Sequence, residues 1–364
     1  MNFSIKSNRK TKSAIELTAQ VIFIACAFMA VIAVLSITLY MIMQGTPAIF
    51  KVGLKEILFG TLWTPEAKSG ANFGILYVIL TSIVGTAMAI LLGVPIGLLT
   101  AIFLAEVAPK KLANMVKPAV ELLAGIPSVV YGLLGILLLN PLMYKIEKII
   151  FADSKTHQFT GGSNLISAVI VLAIMILPTV INISESALRA VQPSLKAASL
   201  ALGASQIQTI FKVIVPAAKS GIISAIVLGV GRAIGEAMAI TLVSGSSVNA
   251  PLPFNSVRFL TTAIVSEMGY ASGLHRQVLF TIGLVLFAFI MIINFTLTRI
   301  LKEKETPDPE LLKDEGDKEE TASFIKEVDE SMKKSDKIQK VEKLEDENQE
   351  TATKESRKES SLGK

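Results

Sequence analysis

AASLALGASQIQTIFKVIVPAAKSGI, residues 197–222, decides how the chain is read, together with the apolar run behind it that holds Arg232 and Glu236. Pro193 opens a short helix, Gly203 supplies the φ > 0 turn that ends it, and Pro216 closes a second one. The apolar faces of this pair, carried by Leu200, Leu202, Ile207, Ile210, Phe211 and Val213, are far too short to cross a bilayer and call for a protein surface to cover them. A docking segment therefore stands next to a charged stretch of membrane interior.

Composition agrees with a membrane setting. The 364 residues are 51% hydrophobic and the mean hydropathy is +0.58, more apolar material than a soluble domain buries. Six apolar stretches, 17–43, 73–105, 122–143, 165–183, 221–243 and 278–297, each reach the length that a helix needs to cross, roughly 20 residues for a hydrocarbon core of about 30 Å. In lipid such a segment must be helical, because nothing else satisfies its backbone. The expected fold class is all-α and polytopic, with a basic segment over 1–16, a six-span domain over 17–300 whose docking loop covers 185–220, and a charged tail over 301–364.

The charges are divided accordingly. Residues 1–300 hold 21 Lys/Arg against 10 Asp/Glu, and residues 301–364 hold 14 against 20. The tail has the composition of a disordered segment, although Phe324, Val328 and Met332, then Ile338, Val341 and Leu344, could line one side of a weak helix. No nucleic-acid function is implied. The single cysteine, Cys26, offers neither an intrachain disulfide nor a cysteine-built metal site. His157 and His275 fall in loops without companion ligands at metal spacing and read as solvated.

Orientation follows from the basic residues. Lys6, Arg9, Lys10 and Lys12 precede the first span, and Lys110, Lys111, Lys117, Arg189, Lys196, Lys212, Lys219, Arg299 and Lys302 share their side. Fewer, among them Lys145, Lys148, Arg258 and Arg276, lie opposite, so both termini and the docking loop are expected in the cytoplasm. FIAC, ending at Cys26, faintly resembles a lipoprotein cleavage box, but the apolar run continues past it where a cleaved segment should stop. In the first outer loop, LKEILFGTLWTP (54–65) reads as a short interfacial helix with Trp63 at headgroup level.

Three glycine–proline or glycine–charge runs mark the spans. GVPIG (93–97) allows close helix approach through Gly93 and Gly97, and GIPSVVYG (125–132) pairs the Gly125 and Gly132 packing positions with a kink at Pro127. GVGRAIGEAMA (229–239) sets Arg232 and Glu236 four residues apart, which on one continuous helix places them on one face about one turn apart. A charge at that depth costs at least ~2.5 to 3.5 kcal/mol on insertion scales, so the two should be paired, wet or functional. Gly231 and Gly235 form a GxxxG expected to press this helix against a neighbour. Arginine suits a tetrahedral oxyanion, because it keeps its charge and its fork matches two oxygens, and Glu236 would hold that fork. The alternative is a structural intramembrane ion pair.

These three features together resemble the permeases of ATP-binding-cassette importers. Ala198, Gly203, Val213, Val215 and Pro216 fall at the spacing of the coupling motif of that class, with Ala197 where the motif usually has Glu; the resemblance implies that Ala197, Ala198, Gly203, Ala204 and Pro216 couple to an ATPase. GIPSVVYG and GRAIGEAMA are similar to runs in the phosphate-specific importer permeases, closest to the PstC type. The resemblance covers roughly 15–300 and implies a type I importer permease fold in the cell membrane, with Arg232 and Glu236 on the phosphate path. It also implies a second, PstA-type permease, a dimer of ATP-binding subunits holding ATP and Mg²⁺, and an extracytoplasmic phosphate-binding protein.

Other chemistries find less support. GVGRAIG is not a dinucleotide fingerprint, because its last glycine is one place late and no strand precedes it. No GxxxxGK[ST] occurs, so the chain cannot bind ATP through such a loop, and no catalytic set or cofactor site can be assembled from the spans. The same architecture carrying sulfate or molybdate, or a stand-alone secondary transporter using the charges as an ion relay, are the remaining alternatives.

Overall fold

The computed structural model describes residues 9–67 and 70–302. The long first helix α1 (Arg9–Val52) is followed by α2 (Leu54–Phe59) and a small hairpin, β1 (Trp63–Thr64) against β2 (Asn72–Phe73). Then come α3 (Leu76–Ile102), α4 (Lys110–Gly125), α5 (Ser128–Leu134), α6 (Asn140–Ile150) and α7 (Leu165–Arg189). The second half holds α8 (Pro193–Ala201), α9 (Gln206–Thr209), α10 (Val215–Ala217), α11 (Lys219–Gly235), α12 (Met238–Val243), α13 (Leu260–Glu267) and α14 (Gly273–Lys302). Single π-helical stretches at Phe103–Val107, Gly135–Leu139 and Ile210–Ile214 extend α3, join α5 to α6, and join α9 to α10.

Five segments are long and apolar enough to cross a membrane: Thr18–Val52, Leu76–Val107, Ser128–Ile150, Leu165–Arg189 and Gly273–Thr296. A sixth crossing is a bent pair, Gln206–Ala217 and Lys219–Gly235, which meet at 70°. Two expected spans are therefore redrawn. The stretch 122–143 is interrupted before Ser128, and 221–243 stops being one helix at Gly235. In addition, α1 begins at Arg9 and α7 continues to Arg189, so the boundaries expected at 17 and 185 both fall inside helices. From residue 303 onward the charged tail and its weak helix lie outside the described residues.

α7 is the axis of the fold. Leu165, Leu172, Met175 and Ile176 are fully buried on it. It lies parallel to α3 because Gly93 and Gly97 leave room: a Cβ at Gly93 would stand 2.6 Å from Ile176 Cδ1, and one at Gly97 2.9 Å from Val180 Cγ1. By contrast, the most apolar stretch of α1 buries none of its residues, as expected of a helix facing lipid. It touches α14 near its far end, where Thr281 Oγ1 donates to Gly45 O at 2.9 Å.

The first outer loop departs from the interfacial helix. Ile57 on α2 is fully buried, and Trp63 leaves the helix for β1, where its Nε1 donates to both oxygens of Glu267 at 3.1 Å. Its indole meets Phe73 and His275 edge-on instead of standing at headgroup level. The buried carboxylate offers the N–H a stronger partner than the interface does.

Candidate functional site

The site is built where two helices break side by side. α4 ends at Gly125, Ile126 and Pro127 are extended (ψ 127° and 140°), and α5 starts again at Ser128. Proline has no N–H for the helical ladder and forces its predecessor out of the helical region. The carbonyl of Leu123, which the break deprives of its regular helical partner, accepts Ile126 N at 3.3 Å and the hydroxyl of buried Tyr131 at 2.7 Å. GIPSVVY thus contains both a break and the side chain that satisfies it.

The second break corrects the reading of Arg232 and Glu236 as neighbours on one helical face. α11 stops at Gly235, Glu236 is extended (φ −71°, ψ 132°), and α12 begins at Met238. Glu236 faces forward: its Oε1 accepts Ala239 N at 2.9 Å, and its carbonyl accepts Thr261 Oγ1 at 2.7 Å. The carboxylate caps the start of α12, where unpaired N–H groups favour negative charge. Among the described residues no ion pair joins it to Arg232. Arg232 instead reaches across to α7, with Nη1 donating to Thr179 Oγ1 at 3.3 Å, and it lies within electrostatic reach of Tyr131.

The breaks are held together by contact between α5 and α12. A Cβ at Gly132 would stand 2.6 Å from Leu242 Cδ1 and 3.0 Å from Ala239 Cα. The other glycines read as packing positions do not serve that purpose within this chain: a Cβ at Gly125, Gly231 or Gly235 meets nothing within 4 Å, whereas one at Gly229 would meet Val180 at 3.0 Å. Gly231 and Gly235 both lie in the last turns of α11, where among the described residues they face open space. The result is a half-buried guanidinium beside two helix breaks, with the Thr179 hydroxyl on it, Tyr131 within its electrostatic reach, and the Thr261 hydroxyl tied to the carbonyl at the second break. Thr179 and Thr261 escaped sequence reasoning. The clue for the first was a hydroxyl directly after Pro178 in an otherwise apolar span.

The docking segment forms as two short helices. Gly203 turns at φ +85° between α8 and α9, and Ser205 and Gln208 cap α9 reciprocally. Ser199 Oγ and Thr209 Oγ1, both buried and 2.9 Å apart, clip the pair. Ala197, Ala198, Gly203 and Pro216 are exposed and Ala204 half-exposed. Leu202 and Ile207 are 89% and 71% exposed, but Ile210 packs inward with Leu188, Ile214 and Ile222 and needs no outside cover.

Neither histidine is solvated as expected. His275 Nε2 lies 2.7 Å from Glu267 Oε2 in a cluster completed by Arg258 and Trp63. His157 Nε2 lies 2.8 Å from Glu147 Oε1, and its ring stacks on Phe151 at 3.8 Å. Both carboxylates are buried, and each histidine helps to satisfy one.

Broken intramembrane helices around an arginine, joined to an exposed two-helix segment, are the features of a membrane permease. The profile of the family described as "Binding-protein-dependent transport system inner membrane component" matches residues 93–305, and the chain belongs to that family. It is 36% identical over 302 residues to the Probable ABC transporter permease protein YqgH of Bacillus subtilis, covering 80% of this chain and 94% of that protein. To the Phosphate transport system permease protein PstC of Haemophilus influenzae it is 33% identical over 262 residues, covering 69% and 82%. A chain from the crystal structure of a bacterial ABC transporter involved in the import of the acidic polysaccharide alginate superposes with a TM-score of 0.55 at 15% identity, covering 81% of this chain and 100% of that one. The fold is that of type I ABC importer permeases, and the protein is a multi-pass membrane subunit of such an importer.

Proposed function

We propose that this chain is the PstC-type permease of a phosphate importer and forms half of its translocation path. The observation that carries the reading is the state of Arg232: a half-buried guanidinium at the paired breaks, hydrogen-bonded within the chain to the neutral hydroxyl of Thr179. Its remaining donors suit an oxyanion, and among the described residues no carboxylate forms an ion pair with it. Glu236 acts beside it by fixing the start of α12. The relatives named PstC support phosphate as the anion.

A second, PstA-type permease completes the path, and an extracytoplasmic phosphate-binding protein delivers the anion. ATP and Mg²⁺ belong to a separate pair of ATPase subunits, docked on Ala197, Ala198, Gly203, Ala204 and Pro216 with both termini on that cytoplasmic side. The exposed Leu202 and Ile207 support this docking. Closure of the ATPases would rock the two permeases between inward- and outward-facing states.

The test is ATP-dependent phosphate uptake by the assembled complex in vesicles. Arg232→Gln should lower uptake by roughly ten- to a hundredfold, the worth of a lost charge-assisted hydrogen bond, while assembly and ATP hydrolysis persist. Excess sulfate should not compete. Competition by sulfate, or loss of assembly in the variant, would turn the reading towards another oxyanion or a structural arginine.

A further inference from the structure

A run of polar contacts connects the docking segment to α4, the helix that ends at the break at 126–127. It starts at Lys196 on α8, whose Nζ donates to Glu106 Oε2 at 2.5 Å. Glu106 lies in the π-helical stretch Phe103–Val107 at the end of α3, where helix-end carbonyls have no ladder partner. One of these, Leu104 O, accepts Arg189 Nη2 at 3.0 Å. Arg189 also donates through Nε to Glu185, whose second oxygen accepts Lys117 Nζ from α4 at 3.0 Å. Eight residues further along α4, about 12 Å of helix, the chain reaches Gly125 and the break.

Stability alone does not call for this arrangement. α4 already rests on α7 through Val120 and Ile181, which share an apolar cluster with Leu104. A buried carboxylate with its cations gains little over apolar packing of the same volume, but a pair of opposite charges fixes two helices at one register. The Glu185 side chain is only 4% exposed, whereas Lys117 and Arg189 remain about half exposed. The carboxylate is thus a fixed hub, with one cation from α4 and another tied to α3.

We propose that Glu185, with Lys117 and Arg189, is the link that carries movement of the docking segment to the intramembrane break, with Lys196 and Glu106 as its cytoplasmic end. These are positioning residues: none touches the carried anion. The inference rests on the coupling part of the function proposed above but not on phosphate being the cargo. When α8 is displaced, Lys196 draws the end of α3, Arg189 follows Leu104, and Lys117 makes α4 move with α7. Tyr131, held to Leu123 O at the far end of α4, shifts with it beside Arg232.

The test needs a readout at the break that is independent of cargo. In the full importer complex with Cys26→Ala, Ile126→Cys supplies a single thiol in this chain at the half-exposed break. Its labelling rate by a small maleimide is compared between the nucleotide-free and the ATP–vanadate-trapped complex. With the link intact the two rates should differ by roughly tenfold, within the usual range of coupling energies. Lys117→Met should erase the difference while ATP hydrolysis continues, Lys117→Arg should restore it, and Lys196→Met should reduce it. Equal rates with the link intact, or a difference that survives Lys117→Met, would overturn the proposal. If Lys117→Met fails to assemble, Lys196→Met decides: an unchanged difference overturns the link and a reduced one supports it. A complex that couples in this assay but ignores phosphate would sink the cargo assignment alone.

Discussion

Tyr131 shows how one side chain makes a helix break tolerable inside a membrane. Its hydroxyl donates to Leu123 O at 2.7 Å, where the regular ladder is interrupted by Pro127. Without it Leu123 O keeps only the Ile126 N–H at 3.3 Å, and a lost hydrogen bond costs about 0.5–1.5 kcal/mol. Tyr131→Phe removes the donor and keeps the ring that packs in the α5–α7–α12 cluster. The expected outcome is a lower apparent melting temperature of the purified complex, together with reduced uptake, since the same hydroxyl stands near Arg232. A variant with wild-type melting and uptake would show that the Ile126 N–H satisfies Leu123 O by itself. Arg232 and Glu236 illustrate the converse at this scale. Four residues apart they were expected to pair, but Glu236 accepts the N–H of Ala239, and among the described residues the guanidinium has the neutral Thr179 hydroxyl as its partner. An arginine neutralised by its own chain would be a poorer anion site.

At the scale of elements, the twin breaks behave as one unit because α5 and α12 touch through glycine. Gly132→Ala places a Cβ 3.0 Å from backbone at Ala239, so α5 must move away; overpacking of this kind costs about 1–3 kcal/mol. Gly125→Ala adds its methyl to open space within the chain. Thermal melting of the two variants should therefore separate, with Gly132→Ala clearly destabilised and Gly125→Ala close to wild type; equal losses would place the critical contact of Gly125 on another subunit. The same elements mark what the sequence could tell. Apolar run length located the spans, because hydrocarbon thickness sets a length that composition must match. The kink at Pro127 was readable, since proline acts through covalent geometry. The break at Glu236 was not: nothing local forbids a helix through GEAM, and it arises from tertiary bonds to Ala239 and Thr261. Likewise Gly231 and Gly235 have the right spacing for packing, but among the described residues no element of this chain meets them.

For the molecule as a whole, the question is how much of the chain a transport half requires. The family profile ends at residue 305 and α14 at Lys302, so everything that positions Arg232, the breaks and the docking segment precedes the charged tail. The tail carries 20 Asp/Glu against 14 Lys/Arg with Phe324 as its sole aromatic residue. The exposed surface of the docking segment at Leu202 and Ile207 is apolar. An acidic, hydrophilic tail is a poor match for it, so ATPase docking should not depend on residues beyond the profile. Truncation after Glu305 should leave complex assembly, ATP hydrolysis and uptake unchanged when expression is matched. Loss of ATPase from the purified truncated complex would refute this and make the tail part of the coupling surface. Loss of regulation with transport preserved would instead place its function outside the transport cycle.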